Sequence, residues 1–187
     1  MNFPDLLYVV DDDSNMSHPA HDGDVGYDVV AASDPKIVGS TCEDLNPNIY
    51  KSIDYIEYDL NVKIDGFQPI NSPNDDVYTL VFPRSSVSKY NLLLANSVGV
   101  IDSGFRSTIK VRFKYIMQPE DLMILHNRSV ACVINPKKIY QKGDKVCQLI
   151  FQKHFHPSIA FVSELEQTAR NEGGFGSTGS WLLEFQA

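Results

Sequence analysis

Five short strings carry residue types at spacings that could do chemistry, and the one nearest the C-terminus is the least ordinary. Gly173-Gly174-Phe175-Gly176-Ser177-Thr178-Gly179 has the makings of a phosphate clasp. Its glycines let the backbone approach an anion and turn N–H groups toward it, Ser177 and Thr178 add hydroxyl donors, and Arg170 upstream adds a bidentate cation. Phe175 can lie across a flat ring. The same letters spell GxGxxG at Gly174, Gly176 and Gly179. A dinucleotide fingerprint, however, needs a preceding strand, a following helix and an acidic residue about 20 positions on, and the eight residues after Gly179 hold none of these. A flexible arm that orders over a triphosphate fits the string; the bland alternative is a plain Gly/Ser tail.

Gly26-Tyr27-Asp28 stands at a predicted strand start, where a carboxylate could reach a metal-bound water or simply shape a turn. Pro83-Arg84-Ser85-Ser86 follows a strand and opens a helix; it either aims free N–H groups and a hydroxyl at an anion or acts as an ordinary N-cap. Residues 96–106 read Asn-Ser-Val-Gly-Val-Ile-Asp-Ser-Gly-Phe-Arg, a hairpin-like excursion with Asp102 on its far shoulder. The Asn96 amide and the backbone around Gly99 can read the edge of a base, and a nearby carboxylate can take a proton from water. Residues 143–150 form a turn into a strand carrying one amide, Gln148.

Strands must position these groups. Ile56, Tyr58, Leu60, Val62 and Ile64 alternate with Glu57, Asp59, Asn61 and Lys63, and Ile109, Val111, Phe113, Tyr115 and Met117 alternate largely with charged residues, the signature of half-buried strands. Further short strands are predicted at Leu6–Val10, Val25–Ala31, Val77–Phe82, Leu122–His126, Val130–Ile134, Val146–Gln152 and Ile159–Leu165, separated by Pro, Gly, Asn or Asp. The pattern is that of an all-β sandwich or barrel. One short helix is predicted from Ser86 to about Leu93, and residues 33–52 and 65–76, rich in Asp, Asn, Pro and Ser, read as long loops.

Composition sets the bounds. With 187 residues and 43% hydrophobic content the chain can bury a core in a single domain. A formal net charge of −8 argues against a nucleic-acid scaffold, which needs clustered Lys and Arg. A small phosphate ligand remains compatible, given a few local cations or a divalent metal. No signal-like leader and no apolar run near 18 residues is visible, so neither secretion nor membrane insertion is expected. Cys42, Cys132 and Cys147 are widely spaced and lack His partners at ligand spacing, which suits reduced thiols in a cytoplasmic or nuclear compartment, host cytoplasm or nucleus if the source is viral.

Taken together, from Gly26 to Gly179, the identity, order and spacing of the five strings closely resemble the five motifs of the homotrimeric dUTPase family. The resemblance implies a distorted jelly-roll β-barrel over residues 1–168, with loop insertions near 33–52 and 65–76, and a glycine-rich arm with an apolar extension over 169–187. It implies a dUTP diphosphatase that yields dUMP and pyrophosphate with Mg²⁺, limits uracil in DNA and assembles as a homotrimer with shared active sites. By resemblance Asp28 holds the magnesium-triphosphate through a metal-bound water. Ser85, with Ser86 beside it, contacts the α and β phosphates, Arg84 precedes them, and Gln148 is a further phosphate contact. Asn96 and Gly99 read uracil, and Asp102 orients and deprotonates the attacking water. Phe105 packs under the deoxyribose. Arg170, Phe175, Gly176, Ser177 and Thr178 belong to the arm that closes over base and γ-phosphate.

Several positions depart from the family pattern. Phe105 replaces a usual tyrosine yet keeps its ring, Ser107-Thr108 replace Gly-Glu, Lys145 replaces a common Arg, and Asn171 replaces a Gly. The stretch Trp181-Leu182-Leu183-Glu184-Phe185 has no counterpart in the motifs. Two alternatives stand beside this expectation. dCTP deaminase shares the fold and an Ile-Asp-x-Gly-aromatic string, but its proton-shuttling glutamate would fall at Arg112. A dUTP-gated regulatory protein would use the same arm as a switch, with residues 33–76 as a contact surface.

Overall fold

The computed structural model describes residues 8–11, 15–42, 46–65, 77–126, 128–155 and 157–169. These contain twelve strands: β1 (Tyr8–Asp11), β2 (Tyr27–Val30), β3 (Lys36–Cys42), β4 (Asn46–Asp59), β5 (Val62–Asp65), β6 (Val77–Pro83), β7 (Leu92–Leu94), β8 (Gly99–Ile101), β9 (Lys110–Tyr115), β10 (Leu122–Ile124), β11 (Val130–Val133) and β12 (Lys145–Lys153). Three short 3-10 turns cover Ser85–Lys89, Pro119–Asp121 and Pro136–Lys138. The strands form a two-stranded sheet β1-β5, a six-stranded sheet β10-β11-β4-β9-β7 with β3 also on β4, and a four-stranded sheet β2-β12-β6-β8. This is the all-β architecture of a curled jelly roll. The chain divides into compact units of residues 1–155 and 156–187.

Alternation builds the core as the sequence predicts. In the β4–β9 ladder, Ile56 pairs with Phe113 and Tyr58 with Val111, all turned inward, while Glu57 faces Arg112 and Asp59 faces Lys110 on the other side. Tyr58, Phe113 and Tyr140 pack at centroid separations of 5.6–6.2 Å, and Tyr90 lies 4.2 Å from Tyr140. The Tyr58 hydroxyl donates to the Tyr140 carbonyl at 3.1 Å, so this buried polar tip is satisfied. Val87 and Tyr90 pack against the same core, which anchors the turn after β6.

Four expectations change. Residues 33–52 are not a long loop: β3 and the first part of β4 pair from Lys36↔Glu57 to Cys42↔Asn46. Their polar composition hides a ladder whose β3 side chains are mostly half-buried or exposed, so the apolar period is faint. The 56–64 run is two strands, broken where Asn61 takes φ 51°, a left-handed conformation that Asn tolerates, with its N–H held by Asp59 Oδ1 at 2.9 Å. The helix predicted to Leu93 is a 3-10 turn ending at Lys89, since Leu92 and Leu94 are drawn into the sheet against Tyr115 and Phe113. Ile159–Leu165 is exposed and forms no strand, and the described residues of its unit offer no second strand to complete a ladder. The 65–76 segment lies outside the described residues beyond Asp65.

The buried hydroxyls and thiol carry a pH signature. Burial pushes the Tyr140 phenol up to about 12 and the Cys147 thiol up to about 12, and raises Tyr58, Tyr50, Tyr90 and Tyr115 as well. The folded chain therefore keeps protons that the unfolded chain loses, and stability must fall as pH climbs from about 9, the ordinary thiol range, toward 12. Each fully protected group contributes a slope of about 1.4 kcal/mol per pH unit within its window. Urea unfolding between pH 8 and 11.5 should show a plateau and then a decline, and Tyr140→Phe should shallow that decline above pH 10; an unchanged slope in the variant would contradict the assignment.

Candidate functional site

Two groups of the predicted residues come together within the first unit. The first is built on the four-stranded sheet, where Asp28 of β2 lies opposite Gln148 of β12, which lies opposite Phe82 of β6. Residues opposite each other in an antiparallel ladder share a face, so Asp28 and Gln148 project to the same side. Arg84 follows directly after β6 and its Nε donates to Asp28 Oδ1 at 2.7 Å. Lys145, at the start of β12, donates from Nζ to Asp28 Oδ2 at 3.0 Å. Both oxygens of one half-buried carboxylate are thus fixed by cations. Ser85 and Ser86 open the 3-10 turn, and their N–H groups precede its first internal bond, from Val87 N to Arg84 O at 3.0 Å. Backbone donors, two hydroxyls, a guanidinium and an amide together suit an anion with several oxygens.

Gly26 explains how Gln148 fits. A Cβ at that position would stand 2.4 Å from Gln148 Oε1 and 3.2 Å from Cδ, so the amide lies over space that only glycine leaves open.

The second group surrounds a cavity of about 610 Å³ lined by Asn96, Gly99 and Phe105 together with Val81, Lys110 and Arg112, among others. Gly99 keeps this wall open: a Cβ there would stand 3.0 Å from Val81 Cβ, a contact that Val81 would have to give way to by a few tenths of an ångström. Strand β8 pairs on one side with β6 and has no ladder on the other among the described residues, which leaves an edge of backbone donors and acceptors beside the cavity. The Asn96 amide sits at the same mouth. Such an edge can recognise a planar ring with its own donors and acceptors. The hairpin expected over 96–106 is a corner: β7 belongs to the six-stranded sheet and β8 to the four-stranded one, so the chain crosses between sheets there. Asp102 follows β8 in an exposed turn closed by Phe105 N to Asp102 O at 3.0 Å.

The two groups do not merge. The row beside Asp28, Gln148 and Phe82 is Tyr27, Leu149, Val81 and Gly99. Neighbouring rows face opposite sides, so the cavity reaches inward-facing Val81 and Gly99 while the Asp28 cluster faces outward. Arg170, Phe175, Gly176, Ser177 and Thr178 lie outside the described residues. Sequence reasoning missed the hold of Lys145 on Asp28, and it missed Glu57, which pins pocket-lining Arg112 at 2.8 Å while that guanidinium stacks 4.4 Å above Tyr55. The facing periods of β4 and β9 were the available signal for the second.

Asp28 also bears on a metal. Among the described residues no group of three or more His, Cys, Asp or Glu side chains is placed to hold an ion. Both Asp28 oxygens already accept from Arg84 and Lys145, so Asp28 fits Mg²⁺ only through a water, as suits an ion that keeps several waters and draws its other oxygens from substrate phosphates.

Comparison with known proteins points one way. A dUTPase family model matches residues 127–179. The deoxyuridine 5'-triphosphate nucleotidohydrolase of Escherichia phage T5 is 38% identical over 104 residues, 55% of this chain and 59% of that protein, so the chain spans less than two thirds of that relative's length. The protein of the same name from Desulfitobacterium hafniense is 36% identical over 119 residues, 63% of this chain and 68% of that one. In fold, the chain is similar to the Staphylococcus bacteriophage 80alpha dUTPase solved with dUPNHPP, with a TM-score of 0.62 and 20% identity, covering 94% of this chain and 99% of that one.

The Gly26 cradle makes a quantitative expectation. Gly26→Ala should displace the Gln148 amide and weaken binding of a non-hydrolysable nucleoside triphosphate by roughly tenfold, about the worth of one hydrogen bond to a charged group. Gln148→Ala should do the same, and the double variant should lose no more than either single one, because both act through one amide. Titration calorimetry decides; additive losses would show that Gly26 acts by another route.

Proposed function

The chain belongs to the dUTPase family, and we propose that it hydrolyses dUTP to dUMP and pyrophosphate. The observation that carries this reading is the pairing, in one chain, of an outward anion cluster at Asp28, Arg84, Ser85, Ser86 and Gln148 with a ring-sized pocket at Asn96, Gly99 and Phe105 beside Asp102. A nucleotide needs both parts.

Asn96 and the free edge of β8 take the base, a narrow fit that leaves no room for a 5-methyl group and gives cytosine the wrong donor pattern. The Phe105 ring packs beneath the sugar and denies space to a 2′-hydroxyl. Arg84, Gln148 and the Ser85-Ser86 backbone hold the α and β phosphates, and Asp28 would hold Mg²⁺ through a water when the ion is bound with the substrate. Mg²⁺, when bound with the substrate, neutralises phosphate charge that would repel a nucleophile. Asp102 orients a water in line with the α-phosphorus and takes its proton. The new bond joins water oxygen to that phosphorus, and the bond to the bridging oxygen breaks to release pyrophosphate. The arm bearing Arg170, Phe175, Gly176, Ser177 and Thr178 closes over base and γ-phosphate and excludes bulk water. The opposite facing of cluster and pocket supports a homotrimer in which one chain's pocket meets another's phosphate cluster.

Pyrophosphate release from dUTP, dCTP, dTTP and UTP, with and without Mg²⁺, tests the reading. Only dUTP with Mg²⁺ should turn over well, since an unpaired donor or acceptor in a dry pocket costs about 1–3 kcal/mol before any clash is added. Asp102→Asn should still bind dUTP and lose at least about a hundredfold in turnover. Ammonia released from dCTP would overturn the substrate, and full turnover by Asp102→Asn would overturn the base.

A further inference from the structure

The turn that carries Asp102 is thinly supported by packing. Asp102, Gly104, Phe105 and Arg106 are all exposed, and a Cβ added at Gly104 would meet no atom within 4 Å. The turn's own closure is the bond from Phe105 N to Asp102 O. One side chain supplies what packing does not. Arg106 Nη1 donates to the Ser103 carbonyl at 2.5 Å and to the Phe105 carbonyl at 3.2 Å, and Nη2 pairs with Asp65 Oδ1 at 2.5 Å. Asp65 is the last residue of β5, whose pairing with β1 begins at Tyr8↔Asp65.

We propose that Arg106, anchored by Asp65, is the positioning residue that fixes the Asp102 turn for catalysis. The carbonyls it grips belong to the residue after Asp102 and to the ring residue Phe105, so one planar fork sets both the carboxylate's direction and the ring beneath the sugar. Only guanidinium geometry does this. A lysine can satisfy Asp65 as a point charge but cannot also span two carbonyls and the carboxylate with fixed angles. The pair is half exposed, with side-chain exposures of 54% and 47%, and an ion pair in that setting contributes little to folding. Its removal should therefore appear in turnover and not in stability. Displacement of a catalytic group by about 1 Å can cost on the order of a hundredfold in rate.

The inference rests on Asp102 acting as the base in dUTP hydrolysis, and the test keeps the two apart. The full chain is compared as wild type, Asp102→Asn, Arg106→Gln, Arg106→Lys and Asp65→Asn, with kcat, KM for dUTP and Tm measured for each. Arg106→Gln and Asp65→Asn should lose roughly tenfold or more in kcat with KM changed less than about threefold, with Tm close to wild type. Arg106→Lys should recover part of the lost kcat. If Arg106→Gln retains wild-type kcat while Asp102→Asn is dead, the positioning role is wrong and the substrate assignment stands. If Arg106→Gln and Asp65→Asn both lose Tm and activity together, the pair is structural and the inference fails. An inactive wild type would remove the underlying reading and this one with it.

Discussion

Side chains on a strand alternate in direction, and the seven-pair ladder from Cys147↔Pro83 to Lys153↔Val77 makes that rule govern the whole site. A slip of one residue would turn every side chain of β12 to the other face. The slip is blocked from inside, where Cys147, Leu149 and Val81 are buried at no more than 2% exposure and could not be replaced by Gln148 without burying an amide. The apolar core thus holds the polar site in place. Gln148 and Asp28 face outward because Leu149 and Val29 face inward. The same register puts Gly99 against Val81 and leaves the cavity on the inward face of that row.

Charge works within that frame on a small scale. Asp28, Arg84 and Lys145 expose 20%, 31% and 48% of their side chains, so each pair contributes only about 0–1 kcal/mol to folding. Their use is local. Two cations gripping one carboxylate orient it and place positive charge beside the turn at Ser85 and Ser86, in a chain whose net charge of −8 would otherwise repel a triphosphate. Glu57 plays the same part across the β4–β9 ladder, where its nearly buried carboxylate fixes Arg112 at the pocket wall.

Much of this was legible in the residues. The alternating runs near 56–64 and 109–117 marked the central ladder because one face is wholly apolar. The motif strings marked Asp28, Arg84, Gln148, Asn96, Gly99 and Phe105, and the fold gathers them into two sets. What escaped notice had a physical cause each time. β3 is a strand with a weak period, since its glycine and polar residues lie on a half-exposed ladder. The strand break at Asn61 depends on one backbone angle, which periodicity does not record. The apolar alternation of Ile159–Leu165 mimics a strand but finds no partner strand among the described residues. Long-range pairs such as Arg106 with Asp65 and Lys145 with Asp28 depend on register between distant strands, which a single sequence leaves open.

If, as proposed, the outward cluster at Asp28 and the inward pocket at Gly99 of one chain serve different active sites completed by neighbouring chains, two inactive variants should complement each other. Reassembly of two inactive variants measures this directly. Asp102→Asn protein keeps its phosphate cluster, and Arg84→Ala protein keeps its base; each is dissociated, mixed in equal amounts and allowed to reform trimers confirmed by sedimentation. Random assembly places an intact Asp102 beside a neighbour's intact Arg84 at about a quarter of sites, so dUTP turnover should return to about that fraction of wild type. A confirmed mixed trimer that stays inactive would mean that one chain supplies both parts, contradicting the account.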